Sequence, residues 1–401
     1  MGTTEHTPLK ALILPGAGAR GAYQVGVLKA LAECLPHRAR NPFGVISGAS
    51  AGAINAAVLA SRAQNFEAAV ADMQAVWSNF SVEQIYRADA LTLLRSSLHW
   101  LGTLVTGGVV VPRPRALLDN APLRELLNER ILFPRIETAL ERGHLEALVV
   151  TASAYTSARS VAFYQASERI EPWRRVRRIG RQTTITVDHL MASAAVPFLF
   201  PPVKVGGEYY GDGSMRHQAP LSSAIHLGAD RLLIIGVRDE HPDPEPAADA
   251  AVDPPSIVQV AGYMLDTLFM DGIYADIERV ARINAILEQT GRKTIERPGA
   301  PLREVDTMLI VPSEDIREIA ARHVRELPRP LRALLRGIGG LNPNGMQFVS
   351  YLLFESGFTS ELIDLGYRDA RMVQEDLRAF LYDRPVGTLD APGYIKAQIE
   401  T

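Results

Sequence analysis

The sequence predicts a three-layer α/β fold, with a mostly parallel central sheet between helices, followed by a helical C-terminal extension. Short apolar segments alternate with segments of helical periodicity near the N-terminus, an order typical of parallel strands joined by covering helices. The segment 231–237 is apolar through its centre, as strands buried on both faces usually are. In such a sheet, a functional site is expected beyond the carboxyl ends of the strands.

The individual elements follow from apolar spacing and from the residues that interrupt it. Residues 11–14 form a short apolar run that ends at Pro15 and Gly16, which predicts a buried strand. Residues 22–35 then carry apolar side chains at helical spacing, which predicts a helix. The same reasoning predicts an alanine-rich helix at 51–60 and further strands at 43–46, 145–154, 161–165 and 231–237.

A segment rich in Pro, Asp and Ala at residues 240–255 predicts an exposed linker. It separates an α/β domain at residues 8–239 from an extension at residues 256–401, which we expect to pack on that domain. The extension is mostly helical in pattern, with helices predicted at 256–288 to cover the sheet and one strand predicted at 307–311.

Composition narrows the classes of function and the compartment. The formal net charge of −3 over 401 residues gives no positive field for a phosphate backbone, so nucleic acid is not an expected partner. Cys34 is the only cysteine, so no internal disulfide can form, and a reducing compartment fits best. The sequence shows no signal-like N-terminal segment and no run of about 20 apolar residues. We therefore expect a cytoplasmic protein that can contact a membrane at its periphery.

A GxSxG pentapeptide at residues 48–52 stands between an apolar strand and the alanine-rich helix. A sharp turn from strand to helix needs small residues, here Gly48 and Gly52, around Ser50. The serine hydroxyl then stands at a helix N-terminus, where developing negative charge is favoured. A plain Gly/Ser turn also fits so short a pattern. The position of the pentapeptide between a strand and a helix, however, predicts a nucleophile at Ser50.

A glycine loop between the first strand and the first helix fits GxGxxG. A dinucleotide site would need an acidic residue at the end of the next strand, and a P-loop would need Gly-Lys-Ser/Thr; the sequence has neither. The backbone N–H groups of the loop can instead hold an oxyanion beside the serine. The N–H groups that we expect to do so are those near Gly16, Ala17 and Gly18. The Arg20 side chain fits either a contact with a phosphate headgroup or an ordinary surface arginine.

A serine nucleophile needs a base, and the residues alone leave two kinds of candidate open. Asp212 follows two tyrosines and precedes a glycine, although Asp-Gly is also the commonest hairpin turn. A histidine downstream of the serine would instead complete a Ser-His-Asp triad, and the candidates are His217, His226, His241 and His323.

Four segments resemble, in the same order, the patatin-like phospholipase domain: residues 12–28, 46–55, 192–201 and 210–214. The resemblance covers residues 11–238. It implies a Ser-Asp dyad in which Ser50 matches the family's nucleophile and Asp212 its catalytic aspartate, with the loop at 16–21 as the oxyanion hole. It also implies a lipid acyl hydrolase of the phospholipase A, lysophospholipase or esterase type, which cleaves phospholipids or related acyl esters through an acyl-enzyme without a cofactor or metal.

Two positions depart from the family pattern. Ala17 stands where the family usually has Gly, and Ser214 stands where it usually has Gly or Ala. Ala17 keeps its place as a backbone donor only where the dihedral angles suit a residue with a Cβ. This departure leaves open another alternative to the hydrolase, a lipid-binding protein that keeps the pocket without turnover.

Two apolar segments are candidates for contact with a lipid surface. Residues 98–111 are followed by Arg113 and Arg115, and residues 331–338 carry apolar side chains at helical spacing beside three arginines. The second pattern resembles a basic amphipathic surface helix. Both segments also fit ordinary packing against the sheet with a solvated charged face.

Overall fold

The structure is a computed structural model that describes residues 7–89, 92, 116–168, 170, 172–216, 219–239, 254–295 and 301–384. The candidate interface segment at 98–111 lies outside the described residues. So does nearly all of the predicted linker at 240–255.

A nine-stranded mixed sheet forms the centre of the fold. Its strands are β1 Lys10–Leu14, β2 Val45–Ala49, β3 Ala147–Ala154, β4 Arg159–Ala166, β5 Arg178–Gln182, β6 Val203–Val205, β7 Glu208–Gly211, β8 Arg231–Ile235 and β11 Asp306–Ile310. A separate two-stranded ribbon pairs β9 Thr294–Ile295 with β10 Leu302–Arg303.

The strand order across the sheet is β11-β8-β1-β2-β3-β4-β5. The first five of these strands are parallel, whereas β4 and β7 both run antiparallel to β3. Leu14 of β1 lies opposite Gly48 of β2. The segments that follow these two strands therefore leave the sheet side by side at the same edge, where sites of parallel sheets are found.

Helices lie on both sides of this sheet. They are α1 Gly21–Ala32, α2 Ala51–Ser61, α3 Phe66–Trp77, α4 Val82–Ile85, α5 Ala121–Arg130, α6 Phe133–Glu141, α7 Val187–Ser193, α8 Ser222–His226, α9 Ile257–Asp266, α10 Gly272–Thr290, α11 Ile316–His323, α12 Arg329–Gly337, α13 Met346–Leu352, α14 Ser356–Met372 and α15 Gln374–Leu381. The predicted α/β class, with a mostly parallel sheet and a helical C-terminal region, is confirmed.

The C-terminal region is joined to the sheet by backbone pairing as well as by helix packing. Strand β11 pairs in parallel with β8 along its whole length, and helix α14 packs on α1, where the hydroxyl of Tyr23 donates to Asp369 at 3.0 Å. In α12, Leu331 and Leu335 are buried while Leu334 and Ile338 are partly exposed. The predicted amphipathic segment 331–338 therefore packs one face into the core.

The central strands β2, β3 and β8 are buried at every residue, which explains why their sequences read as nearly continuous small or apolar runs. Among the described residues, we find no helix with both the length and the apolar character required to cross a membrane.

Candidate active site

Ser50 occupies a strained turn between β2 and α2. Its backbone has φ 52° and ψ −129°, a conformation that L-residues avoid and that is retained mainly at functional positions. Gly48 is the residue before the last of β2, and Gly52 lies in the first turn of α2, where a Cβ would stand 2.1 Å from the carbonyl oxygen of Leu14. Strand and helix backbones thus touch, and Ser50 is held at the N-terminus of α2.

Asp212 directly follows β7 and is almost fully buried, at 1% exposure. Its N–H donates to the carbonyl of Ala195 at 2.9 Å, and the N–H of Ser214 donates to its Oδ1 at 2.8 Å. The turn that joins β6 to β7 lies at residues 206–207. The interpretation of Asp212 and its glycine as a hairpin turn is therefore wrong, because they follow the hairpin.

The electrostatics of Asp212 suit a base. Burial raises the pKa of Asp212 from 3.8 to about 6, against hydrogen bonding from Ser50 and Ser214, which lowers it. Oδ2 of Asp212 has no partner with hydrogen-bond geometry among the described residues, yet the Ser50 hydroxyl approaches closely enough to affect the pKa. A carboxyl group with a pKa near neutrality is better matched to proton transfer than an exposed one.

The glycine loop after β1 packs close to Ser214 and lines the cavity that also contains Ser50. A Cβ on Gly16 would stand 2.3 Å from the hydroxyl oxygen of Ser214, and Gly18 lines the same cavity as Ser50. Gly18 has φ 51°, which favours glycine, whereas Ala17 has φ −146°, which a residue with a Cβ can adopt. The departure at Ala17 thus falls at a loop position that does not require the left-handed region.

The side chain of Arg20 is buried, at 3% exposure, beneath this loop. Its Nη1 donates to Oδ1 of Asp266 at 3.0 Å, its Nε donates to the hydroxyl of Ser350 at 2.9 Å, and its guanidinium stacks 3.9 Å above the ring of Tyr351. Arg20 is therefore neither a surface arginine nor free to meet a headgroup, and both of our interpretations of its side chain are wrong. Ala19 is also buried, and Gly21 begins α1.

Asp266, at the end of α9, is the centre of this buried network. Burial alone would raise the pKa of Asp266, but Arg20, the hydroxyl of Tyr351 and Arg238 together lower it. The Tyr351 hydroxyl donates to Asp266 at 2.6 Å, and Nε of Arg238 lies 3.2 Å from Oδ2 of Asp266. Through Asp266 and Tyr351, the C-terminal region fixes the side chain of Arg20 and thereby the glycine loop.

Ser193, at the end of α7, holds the backbone of Ser50. The N–H of Ser50 donates to Oγ of Ser193 at 2.9 Å, and the Ser193 hydroxyl donates to the carbonyl of Thr151 at 2.6 Å. Sequence reasoning missed this residue, although it lies within the segment 192–201 that carried the family resemblance. These two hydrogen bonds link β3 through Ser193 to Ser50 and so support the strained turn.

Replacing Ser193 with Ala is expected to lower the free energy of unfolding by about 1–3 kcal/mol, because it removes the acceptor of the buried Ser50 N–H and one donor to the carbonyl of Thr151. Loss of support for the turn should also lower kcat/KM for an ester by about tenfold, equivalent to about 1.4 kcal/mol. Urea unfolding and ester hydrolysis would measure both effects. The exposed Ser157→Ala serves as control; equal behaviour of the two variants would contradict the supporting role.

Of the four candidate histidines, two contact other residues and two lie outside the described residues. The ring of His226 packs on Trp173 at 4.4 Å, and His323 bonds to Glu326 and Glu361. Neither hydrogen-bonds to Ser50 or Asp212 in the described part of the chain. His217 and His241 lie outside that part.

A cavity of about 200 Å³ opens beside Ser50. Its wall is largely apolar and includes Ile54, Val58, Val76, Leu127, Phe200 and Phe269. Within the described ranges, no group of three or more His, Cys, Asp or Glu side chains is arranged to hold a metal ion.

The family model of the patatin-like phospholipases matches residues 12–225, a little over half of the chain. No curated protein matches the sequence. Among solved structures, the chain is similar to the crystal structure of VipD from Legionella pneumophila, with 13% identity, coverage of 92% of this chain and 67% of that chain, and a TM-score of 0.34. The family match, over segments that include both Ser50 and Asp212, shows that the chain belongs to the patatin-like phospholipase family.

Proposed function

We propose that the protein is a serine hydrolase that cleaves acyl esters of phospholipids or related lipids with a dyad of Ser50 and Asp212. The observation that carries this proposal is the approach of a serine in a strained turn to a buried carboxyl group whose pKa is raised to about 6. Membership of the patatin-like phospholipase family supports lipid acyl hydrolysis in general. The apolar wall of the cavity beside Ser50 supports an acyl chain as the bound group.

In the proposed reaction, Oγ of Ser50 attacks the ester carbonyl carbon while its proton passes to the Asp212 carboxylate. The tetrahedral intermediate collapses, the C–O bond to the alcohol breaks, and the alcohol leaves with the proton from Asp212. Water then attacks the acyl-enzyme, again giving a proton to Asp212, and Ser50 recovers its proton as the fatty acid leaves. Neither step needs a cofactor.

The negative charge on the intermediate needs donors that are already in place. We assign this role to backbone N–H groups of residues 16–21, the loop that follows β1 beside the nucleophile. Within this loop, the N–H of Arg20 already donates to the carbonyl of Ala17 at 3.1 Å, and the N–H of Gly21 donates to the carbonyls of Gly18 and Ala19. The proposed donors are therefore the N–H groups of Gly16, Ala17, Gly18 and Ala19 and not those of Arg20 and Gly21. A donor of this kind typically contributes about 3 kcal/mol to transition-state stabilisation.

A fluorophosphonate probe tests the proposal directly. The wild type should be modified at Ser50 and should hydrolyse a p-nitrophenyl ester and a labelled phospholipid in the presence of a chelator, whereas Ser50→Ala should do neither. An unlabelled wild type that still binds lipid would favour the binding protein without turnover. Loss of hydrolysis in His217→Ala would favour the Ser-His-Asp triad and would contradict the dyad.

A further inference from the structure

One face of helix α2 lines the cavity from the nucleophile onward. Ile54, Val58 and Arg62 all contact the cavity and are spaced four residues apart, so they follow one another along the same side of the helix. At a rise of 1.5 Å per residue, the distance along the helix from Ser50 to Arg62 is about 18 Å. An extended hydrocarbon zigzags, so each C–C bond of about 1.5 Å advances it by only about 1.3 Å, and a chain of about 14 carbons fits this length.

The opposite wall is formed by apolar side chains of α3 and α5. Val76 and Trp77 of α3 and Leu123 and Leu127 of α5 line the cavity. Ile54, Val58 and Val76 remain only partly buried although they pack against the core. Apolar side chains that keep accessible surface inside a fold mark a space that another apolar group can fill.

The far end of this space is charged. Nη1 of Arg62 lies 2.8 Å from Oδ2 of Asp72, and the Asp72 side chain is half exposed. Arg130, at the end of α5, is exposed and also lines the cavity. A hydrocarbon that extends beyond Val58 therefore meets ions and water within about one further helical turn, where it gains little from burial.

We propose that this space, the α2 channel bounded by Ser50 and Arg62, holds the acyl chain of the substrate and measures its length. The inference rests on the proposed function, because it places the acylated oxygen at Ser50. Residues Ile54 and Val58 mark successive positions along the chain, at about 6 Å and 12 Å from Ser50 along the helix. The substrate class that fits is an ester of a saturated acyl chain of about 14 carbons.

The α2 channel leads us to expect a defined dependence of kcat/KM on acyl chain length in the wild type. Burial of each additional methylene should raise kcat/KM by up to about fourfold, until the chain reaches the charged end. In a series of p-nitrophenyl esters from acetate to palmitate, kcat/KM should therefore rise to about the myristate and then level off.

Tryptophan substitutions shorten the channel at defined points. In Val58→Trp, the ratio of kcat/KM for laurate to that for butyrate should fall at least tenfold, with the break at about nine carbons. In Ile54→Trp the break should move to about five carbons. Val176→Trp makes the same change at a residue that is 93% exposed on the surface, and its ratio should equal that of the wild type.

The outcomes separate the channel from the proposed function. A wild type that hydrolyses none of the esters contradicts the proposed function. A wild type that hydrolyses them, with the same laurate to butyrate ratio in both α2 variants, overturns the channel. If circular dichroism shows that Val58→Trp does not fold, Val76→Trp narrows the same section from α3 and must lower the ratio in its place. An unchanged ratio in folded Val76→Trp likewise overturns the inference.

Discussion

Replacing Asp212 with Asn is expected to lower kcat/KM for an acyl ester by about 10³–10⁴-fold while raising the stability of the fold at pH 7. Activity falls because an amide cannot accept the proton of Ser50. Stability rises because the wild type must keep a charged carboxylate in a buried position. The same burial that suits Asp212 to act as a base therefore costs folding free energy.

The sign of the stability effect follows from the pKa values. The pKa of Asp212 is about 6 in the folded protein against 3.8 for an ordinary Asp, so the folded state holds the proton more tightly. Below pH 3.8 both states are protonated and no difference arises. Stability is then lost as the pH rises from 3.8 to about 6, and the total loss is about 3 kcal/mol. The Asp212→Asn variant avoids this loss, because its amide does not titrate.

Urea unfolding of the wild type and Asp212→Asn at pH 7 and below pH 4 measures the effect. The variant should be more stable by up to about 3 kcal/mol at pH 7, and the two curves should converge below pH 4. Asp364→Asn removes an exposed carboxylate from α14 and serves as the matched control. Equal stability of Asp212→Asn and the wild type at pH 7 would contradict the burial argument, and retained hydrolysis would contradict the base.

The wild-type pH profile provides a second measurement on the same residue. Because the base must be deprotonated, kcat/KM should rise about tenfold per pH unit below pH 6 and become flat above it. Asp212→Asn should lose this inflection along with its activity.

The parts of the fold that were predictable from sequence are those fixed by local pattern. The apolar run before Pro15 and the glycines around Ser50 predicted β1, the turn and α2, because burial and close backbone approach act over a few neighbouring residues. The strand predicted at 307–311 exists as β11. Its place beside β8 was not predictable, since a strand pattern carries no information about its partner.

The supports of the site were not predictable, because they join distant parts of the chain. The bond from Ser50 to Ser193 spans 143 residues, and the bond from Arg20 to Asp266 spans 246. Arginine is almost never buried without a paired charge, so the side chain of Arg20 was expected either at the surface or against a phosphate headgroup as long as its partner was unknown. Asp266 lies in an apolar helical pattern that predicted only a covering helix. The pairing of two such residues appears only in three dimensions.

Replacing Asp266 with Ala is expected to lower the free energy of unfolding by about 3–5 kcal/mol, since it leaves the Arg20 guanidinium buried without its carboxylate. The hydroxyl of Tyr351 loses its acceptor at the same time. Because these groups lie directly beneath the glycine loop, hydrolysis should also fall in whatever fraction of the protein remains folded, with little change in the pKa of Asp212.

Asp271→Ala provides a matched control for this substitution. Asp271 lies one turn further along, lies 4.0 Å from Arg238 and is half exposed, so its removal should cost no more than about 1 kcal/mol. Urea unfolding of both variants, followed by Arg20→Met in each background, gives the coupling between Arg20 and either carboxylate. We expect Arg20 to couple strongly to Asp266 and not to Asp271. If the double variant Arg20→Met and Asp266→Ala also recovers stability but not hydrolysis, the pair positions the loop for catalysis. If Asp266→Ala costs no more than Asp271→Ala, the C-terminal region does not fix the loop through this pair.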